Sequence, residues 1–414
     1  MNSNSWKVKK WGDLVELKYG KSLKNYKEKT VGYRVFGTNG PIGYNEEALC
    51  EQETVIIGRK GAYRGVHYSY KPCYVIDTAF YTVPIEEINM KWAFYELLTK
   101  NINNLDSGSA IPSTSREDFY SLKSKVPPIG VQNKIVNILS IFEEKIELNS
   151  KMINNLEQLA QILFKNWFID FEFQNDQGGP YKSSGGEMVE SELGEIPKGW
   201  KVASLGELIQ DTIGGDWGKE YPQGNHVEQV FIIRGADLPE MRLGNARKVP
   251  TRYVLNKNYI NKQLAIGDII IEISGGSPTQ STGRTLYINK EIIEKYQGKV
   301  LCTNFCRILR PTGEENGFFV ELFMSYLYKQ NVFFNFENGT TGIKNLDLNA
   351  VLNKYKIVLP PEKIIAVFSE QFQIVYESIQ KKGNENRKLE ELRDTLFPKL
   401  LSGEIEIPDE LVVE

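Results

Sequence analysis

PPIGVQNKIVNILSIFEEKIELNSKMINNLEQLAQILFK, residues 127–165, occurs twice in this chain. Moved forward by 233 positions, it falls without a gap on PPEKIIAVFSEQFQIVYESIQKKGNENRKLEELRDTLFP, residues 360–398. Ile141, Glu144 and Ile146 meet Ile374, Glu377 and Ile379, and Leu163-Phe164 meets Leu396-Phe397. Each copy reads as a long helix. In the first, Ile135, Leu139, Phe142, Ile146, Asn149, Ile153, Leu156, Ala160 and Leu163 advance by four and three, the spacing of a coiled-coil seam. In the second, the same steps give Phe368, Phe372, Val375, Ile379, Lys382, Asn386, Leu389, Arg393 and Leu396. Apolar ends around a polar middle suit two helices that pair in a fixed register. Gly383 marks a place where the second helix can break, since a helical glycine costs about 1 kcal/mol.

The repeat extends outward from the helices. Trp6-Lys7-Val8 and Gly12-Asp13-Leu14 recur, shifted by 194, as Trp200-Lys201-Val202 and Gly206-Glu207-Leu208. The offset grows from 194 to 233, so the second half carries about 39 extra residues ahead of its helix. Each half reads as a mixed, strand-rich domain. The buried-strand run Thr54–Gly58 corresponds to Asp268–Ile273, and Cys73–Ile76 and Ala79–Val83 to Val300–Cys302 and Phe305–Leu309. An aromatic helix follows in each half, at 91–100 and 317–330, then a polar loop at 107–115 or 338–345. The double proline closes the domain and starts the long helix, because proline is tolerated in a first turn. Residues 170–198, rich in glycine, serine and acids, read as a linker, and 402–414 as a loosely held tail.

Composition narrows the function classes. No run reaches the 18 or so apolar residues of a membrane span, and the first residues have no secretory apolar region. The expected location is cytoplasmic. Cys50, Cys73, Cys302 and Cys306 are scattered, with only His67 and His226 to help them, so no metal site is expected. The net charge of −3 is not that of a generally basic nucleic-acid binder, so any basic groups that meet DNA must be concentrated locally. There is no phosphate-binding loop, no zinc set and no nucleophile elbow. Asp268 and Glu272 have nuclease-like spacing in one strand, but the lysine expected just after them is missing.

Between the repeats, Trp167-Phe168-Ile169-Asp170-Phe171-Glu172-Phe173, Pro180-Tyr181-Lys182-Ser183-Ser184-Gly185-Gly186-Glu187-Met188 and Ser191-Glu192-Leu193-Gly194-Glu195-Ile196-Pro197-Lys198-Gly199-Trp200 closely resemble the central segment of the specificity subunit of type I restriction-modification enzymes. The repeated Pro-Pro helix resembles that family's two conserved helical regions. The resemblance covers essentially the whole chain and implies an α+β fold. Target recognition domain 1 would span 1–128 and domain 2 would span 199–361. They would be separated by two long antiparallel coiled-coil helices, 129–169 and 362–401. It further implies that each domain reads one half of a split site on double-stranded DNA. The helices would carry two methyltransferase subunits, which in turn recruit restriction subunits. This chain would then have no catalytic centre and no bound cofactor. S-adenosylmethionine, ATP and Mg2+ would be held by the partners. A seam from Ile135 to Leu163 is about 42 Å long at 1.5 Å per residue, or about 12 base pairs of duplex.

Base edges are read by paired donors and acceptors, and phosphates by hydroxyls, backbone N–H groups, lysine and arginine. In the first domain these chemistries concentrate at Thr38, Asn39, Arg59, Lys60, Tyr63, Arg64, Ser109, Ser113 and Arg116. In the second they fall at Arg234, Thr279, Gln280, Ser281, Arg284, Thr340, Thr341 and Lys344. The rival reading is a coiled-coil interaction scaffold with no DNA sequence preference. It accounts for the helices but not for two large repeated domains decorated with polar loops.

Overall fold

The computed structural model describes residues 6–105, 112–246, 248–277, 279–339 and 343–408. The chain forms two compact units, Met1–Lys145 with Leu389–Glu414, and Ile146–Lys388. Two helices of 40 and 41 residues, Ile129–Phe168 and Glu362–Ser402, each contribute one end to each unit.

In the first unit, an antiparallel sheet has the order Val15–Tyr19, Ala79–Pro84, Thr54–Gly58, Val66–Ser69. Thr54–Gly58 is buried along its whole length, as its unbroken β-branched run requires of an inner strand covered on both faces. A second sheet centres on Tyr33–Gly37, antiparallel to Gly40–Asn45 and parallel to Cys73–Val75. Lys7–Lys10 pairs antiparallel with Lys123–Val126. The core gathers Trp11, Leu17, Ile57, Phe80, Trp92 and Phe119, together with Ile135 and Leu139 of the first long helix and Leu400 and Leu401 of the second.

The second unit repeats this topology strand for strand. Its main sheet runs Ile209–Gly214, Cys306–Pro311, Ile269–Glu272, Thr285–Tyr287. His226–Ile233 lies antiparallel to Thr251–Leu255 and parallel to Val300–Cys302, and Lys201–Ser204 pairs with Lys356–Leu359. The correspondence reaches single residues. A Cβ on Gly20 would lie 2.0 Å from the carbonyl oxygen of Ile76, and one on Gly215 would lie 2.1 Å from that of Thr303. Both glycines follow the first strand of the main sheet, where the backbone presses on the end of the parallel strand's connection and no side chain fits.

The additional residues of the second half also find their places. Where Thr38-Asn39 turns directly between two strands in the first unit, the second inserts the segment 234–250, with the short helix Leu238–Arg242. A helix at Lys290–Lys295 and a small sheet of Ser274–Gly275, Lys344–Leu346 and Glu337–Asn338 are further additions. The aromatic helix is Met90–Leu98 in the first unit and Glu314–Lys329 in the second.

The predicted seam faces inward. Ile135, Leu139, Ile153, Phe368, Phe372 and Ile379 are buried, and Phe142, Ile146, Leu156, Leu163, Val375, Leu389 and Leu396 are half-buried. Within the second unit the helices run antiparallel. Asn149 meets Asn386, while Phe168, further along the first helix, meets Phe368, earlier in the second, at 4.8 Å between ring centroids. The Asn149 side-chain amide donates to Asn386 Oδ1 at 3.0 Å, and Asn386 Nδ2 donates to the Ile146 backbone oxygen at 3.3 Å and Ser150 Oγ at 3.2 Å. These bonds satisfy polar groups in one alignment of the two helices and so fix the register.

Three expectations are corrected. Gly383 does not break the second helix, which is continuous from Glu362 to Ser402. The stretch read as a linker is folded onto the core of the second unit. Phe173 and Ile196 are buried, Tyr181 stacks on Phe173 at 4.5 Å, and Met188–Ser191 pairs with Gly194–Pro197 in a hairpin. Its aromatics make it structural despite the glycine and serine around them. The tail is packed as far as it is described, with Ile407 buried in the first unit's core. Among the described residues no helix is long and apolar enough to cross a membrane.

Candidate nucleic-acid interface

In the first unit the loop after Thr54–Gly58 is held from two sides. Gly65 N–H donates to the Thr38 carbonyl at 3.0 Å, bringing the Thr38-Asn39 turn against it. Thr114 N–H donates to the Arg59 carbonyl at 2.8 Å, and Lys60 bridges to Ser113. The polar positions at 38–39, 59–64 and 113–116, separate in sequence, therefore form one surface. Asn39 and Tyr63 are exposed, Tyr63 at 79%. Ser109 lies outside the described residues.

Arg64 is not presented at this surface. It is 3% exposed, and its guanidinium donates to the backbone oxygens of Asn103 at 2.7 Å and Gly61 at 3.2 Å. It shapes the loop from within, with its two terminal nitrogens held on backbone carbonyls. Arg59 and Arg116 converge on Tyr19, a residue the sequence reading did not single out. Their guanidinium carbons lie 4.8 and 5.1 Å from its ring centroid. Arg59 Nη1 donates to the Asp77 carbonyl at 3.0 Å, and Arg116 Nη2 to the Leu17 carbonyl and the Tyr120 hydroxyl, each at 3.0 Å. The available signal was Tyr19-Gly20 itself, an aromatic at a strand end just before a glycine that turns the chain.

In the second unit, Arg234, Gln280, Ser281 and Arg284 line one cleft of about 660 Å³ with Trp217, Asn304 and Phe305. Phe305 is half-exposed at 50%, and Arg252 covers Trp217 at 4.3 Å. Thr279 is exposed at the cleft's loop, and Ser281 is buried. Lys344 pairs in register with Gly275 on the adjoining small sheet. Thr340 and Thr341 lie outside the described residues. Trp217, Asn304 and Phe305 were missed because they come from two connections, distant in sequence, whose convergence depends on the sheet order.

Electrostatics differ between the two surfaces. In the second, Arg284 forms two hydrogen bonds to Glu272, at 2.6 and 2.8 Å, and Arg234 two to Asp237, at 2.8 and 3.0 Å. These carboxylates hold both guanidinium pKa values above the ordinary value, against the opposing effect of burial. Lys344 donates to Glu337 at 2.9 Å. The Asp268 and Glu272 pair is not a nuclease-like site. Asp268 is held by Arg310 at 2.8 and 2.9 Å, and both carboxylates are buried ion-pair partners. In the first surface, neither Arg59 nor Arg116 has a carboxylate within ion-pair distance among the described residues. All four cysteines are buried free thiols, and no cluster of three or more metal-ligating side chains occurs among the described residues.

Comparison with known proteins agrees with this architecture. Residues 3–158 match the family model described as Type I restriction modification DNA specificity domain. The chain is 25% identical to the Type I restriction enzyme MjaIX specificity subunit of Methanocaldococcus jannaschii, over 98% of this chain and 90% of that protein. It is 25% identical to the Type I restriction enzyme HindI specificity subunit of Haemophilus influenzae, over 80% and 81%. The crystal structure of the type I restriction-modification system S subunit from M. genitalium shares the fold, with a TM-score of 0.62, 17% identity and 97% of each chain covered. A repeated strand order, paired long helices and similarity along nearly the full length lead to one conclusion: the chain is similar, from end to end, to the specificity subunits of type I restriction-modification systems.

Proposed function

We propose that this chain is the DNA-recognition subunit of a type I restriction-modification enzyme and that it reads a two-part site, one part per unit. The supporting observation is that the two units share strand order and pairing while their polar surfaces differ in residues and charge. A common scaffold with different loop chemistry is what reading two different half-sites requires. The long helices, with their exposed faces, dock methyltransferase subunits and through them restriction subunits. The chain itself is non-catalytic. S-adenosylmethionine, ATP and Mg2+ are held by the partners, and the assembly works in the cytoplasm.

Replacing residues 1–128 with the matching region of a relative tests this reading. In the assembled methyltransferase, mapping methylated adenines before and after the exchange should show one half-site changed and the other retained. A change in both halves contradicts the modular assignment. Methylation or cleavage by the purified chain alone contradicts its non-catalytic role.

A further inference from the structure

We propose that Arg59 reads a guanine in the half-site of the first unit, with Tyr19 and Arg116 as its positioning residues. This rests on the DNA-recognition reading above and specifies what one of the two surfaces recognises.

The geometry leaves Arg59 one edge to use. Its Nη1 is fixed on the Asp77 carbonyl at 3.0 Å, and its plane lies near the Tyr19 ring, 4.8 Å from the centroid. Nε and Nη2, the two donors on the adjacent edge, have no partner among the described residues. Two neighbouring donors in a restrained plane match the O6 and N7 acceptors that guanine presents in the major groove. Arg116 supports the other member of the stack. It lies 5.1 Å from the same ring and is tied to the Leu17 carbonyl of the strand that carries Tyr19. Two guanidiniums close to one ring without a carboxylate leave positive charge uncompensated, so a site rich in acceptors is the complementary ligand.

The repeat supplies an internal comparison. In the main sheet of the first unit Phe80 pairs with both Tyr19 and Ile57, and in the second Arg307 pairs with both Gly214 and Ile271. By this register Tyr19 corresponds to Gly214, and Arg59, two residues past Ile57, to Ile273. The second unit thus lacks both the aromatic platform and the arginine, and the arginines lining its cleft are engaged by Glu272 and Asp237. Guanine reading through this device belongs to the first unit alone.

The test uses the chain assembled with its methyltransferase subunits and duplex oligonucleotides carrying the mapped site. The half-site assigned to the first unit by the exchange of residues 1–128 should contain a guanine on one strand. Replacing that guanine by 7-deazaguanine, which lacks the N7 acceptor, should weaken binding about 5- to 150-fold. Arg59→Lys, which keeps the charge and loses the planar fork, should weaken the preference for that base, with the dependence of binding on salt unchanged and the other half-site still discriminated. Tyr19→Leu should lose the same preference, and Tyr19→Phe should keep it. A first half-site with no guanine on either strand overturns the inference. So does an Arg59→Ala variant that loses affinity equally for all sequences with a shallower salt dependence, since that identifies a phosphate contact. Absence of any sequence preference in the assembled enzyme would overturn DNA reading as a whole, and this inference with it.

Discussion

Gly383 of the second long helix lies against the backbone of Leu243: a Cβ placed on Gly383 would be 1.8 Å from the Leu243 carbonyl oxygen. The neighbouring Gly244, at φ +78°, is as tightly placed, with its own Cβ position 2.5 Å from the Gln380 carbonyl. Helix and loop meet here backbone to backbone. The contact is reinforced by Gln380 Nε2 donating to the Arg242 carbonyl at 2.8 Å and by the Arg242 guanidinium, which bonds Glu321 and Glu157. The segment that the second unit inserts between its strands is thereby fixed to the long helix.

Gly383→Ala should destabilise the second unit. Alanine in an exposed helix gains about 1 kcal/mol over glycine, but overpacking a tight contact costs about 1–3 kcal/mol. A 1.8 Å approach to backbone puts this site at or beyond the upper end. Gly130→Ala is the control, since nothing lies within 4 Å of its Cβ position in the first long helix. Denaturant unfolding should show a lower midpoint for Gly383→Ala and an equal or higher one for Gly130→Ala.

The Asn149–Asn386 contact should trade stability for register. Asn386→Leu alone removes one of the two acceptors of the fully buried Asn149 amide, leaving Glu385, and strips the donor from the Ile146 carbonyl and Ser150, at a cost of about 1–3 kcal/mol. Leucine at both positions should recover that loss and broaden the alignments the helices accept. A double-mutant cycle measures the coupling. A coupling near zero would show that the pair does not set the register.

Arg284 and Glu272 should behave as one structural unit. The Glu272 side chain is 6% exposed and Arg284 supplies both of its close donors from one guanidinium. Arg284→Ala strands a buried carboxylate and should cost about 3 kcal/mol. Adding Glu272→Gln removes the charge and should restore part of the loss. If Arg284→Ala proves neutral in thermal unfolding, the pair has no structural role and the arginine is available to ligand.

The small sheet of the second unit should loosen in acid. Burial would raise the Glu337 pKa, but hydrogen bonds from Lys344 Nζ and from the Thr282 N–H and hydroxyl together hold it below its ordinary value of 4.5. A group whose pKa is depressed on folding stabilises the fold above its unfolded pKa. That stabilisation is lost as pH falls through the lower, folded value. Protection against amide exchange in Glu337–Asn338 and Lys344–Leu346, relative to the intrinsic rate at each pH, should fall below about pH 4.5. In Glu337→Gln the protection should already be low at neutral pH and should not fall further in acid.

Much of the architecture was legible because it is written in short-range patterns. The four-and-three spacing from Ile135 to Leu163 and from Phe368 to Leu396 marked the faces the helices bury, and the run at 54–58 marked an inner strand. Gly383 was misread because a helix cost is a local quantity, whereas the reason for the glycine is a carbonyl 140 residues away in sequence. The stretch 170–198 was misread in the same way. Its glycines and serines are local signals of a loop, and the packing of Phe173, Tyr181 and Ile196 on the core is not.

The sequence alone determined that this is a repeated chain with two pairing helices and two strand-rich halves, since hydrophobic periodicity and internal repetition need no partner to be seen. Tertiary structure alone decided which polar residues share a surface and which are withdrawn from it. Arg59, Arg64 and Arg116 look alike on paper. One lies beside Tyr19 with an open edge, one is buried under its own loop, and one is anchored to a strand carbonyl. A guanidinium's role is set by the neighbours that meet its donors, and those neighbours are brought to it by the order of the strands.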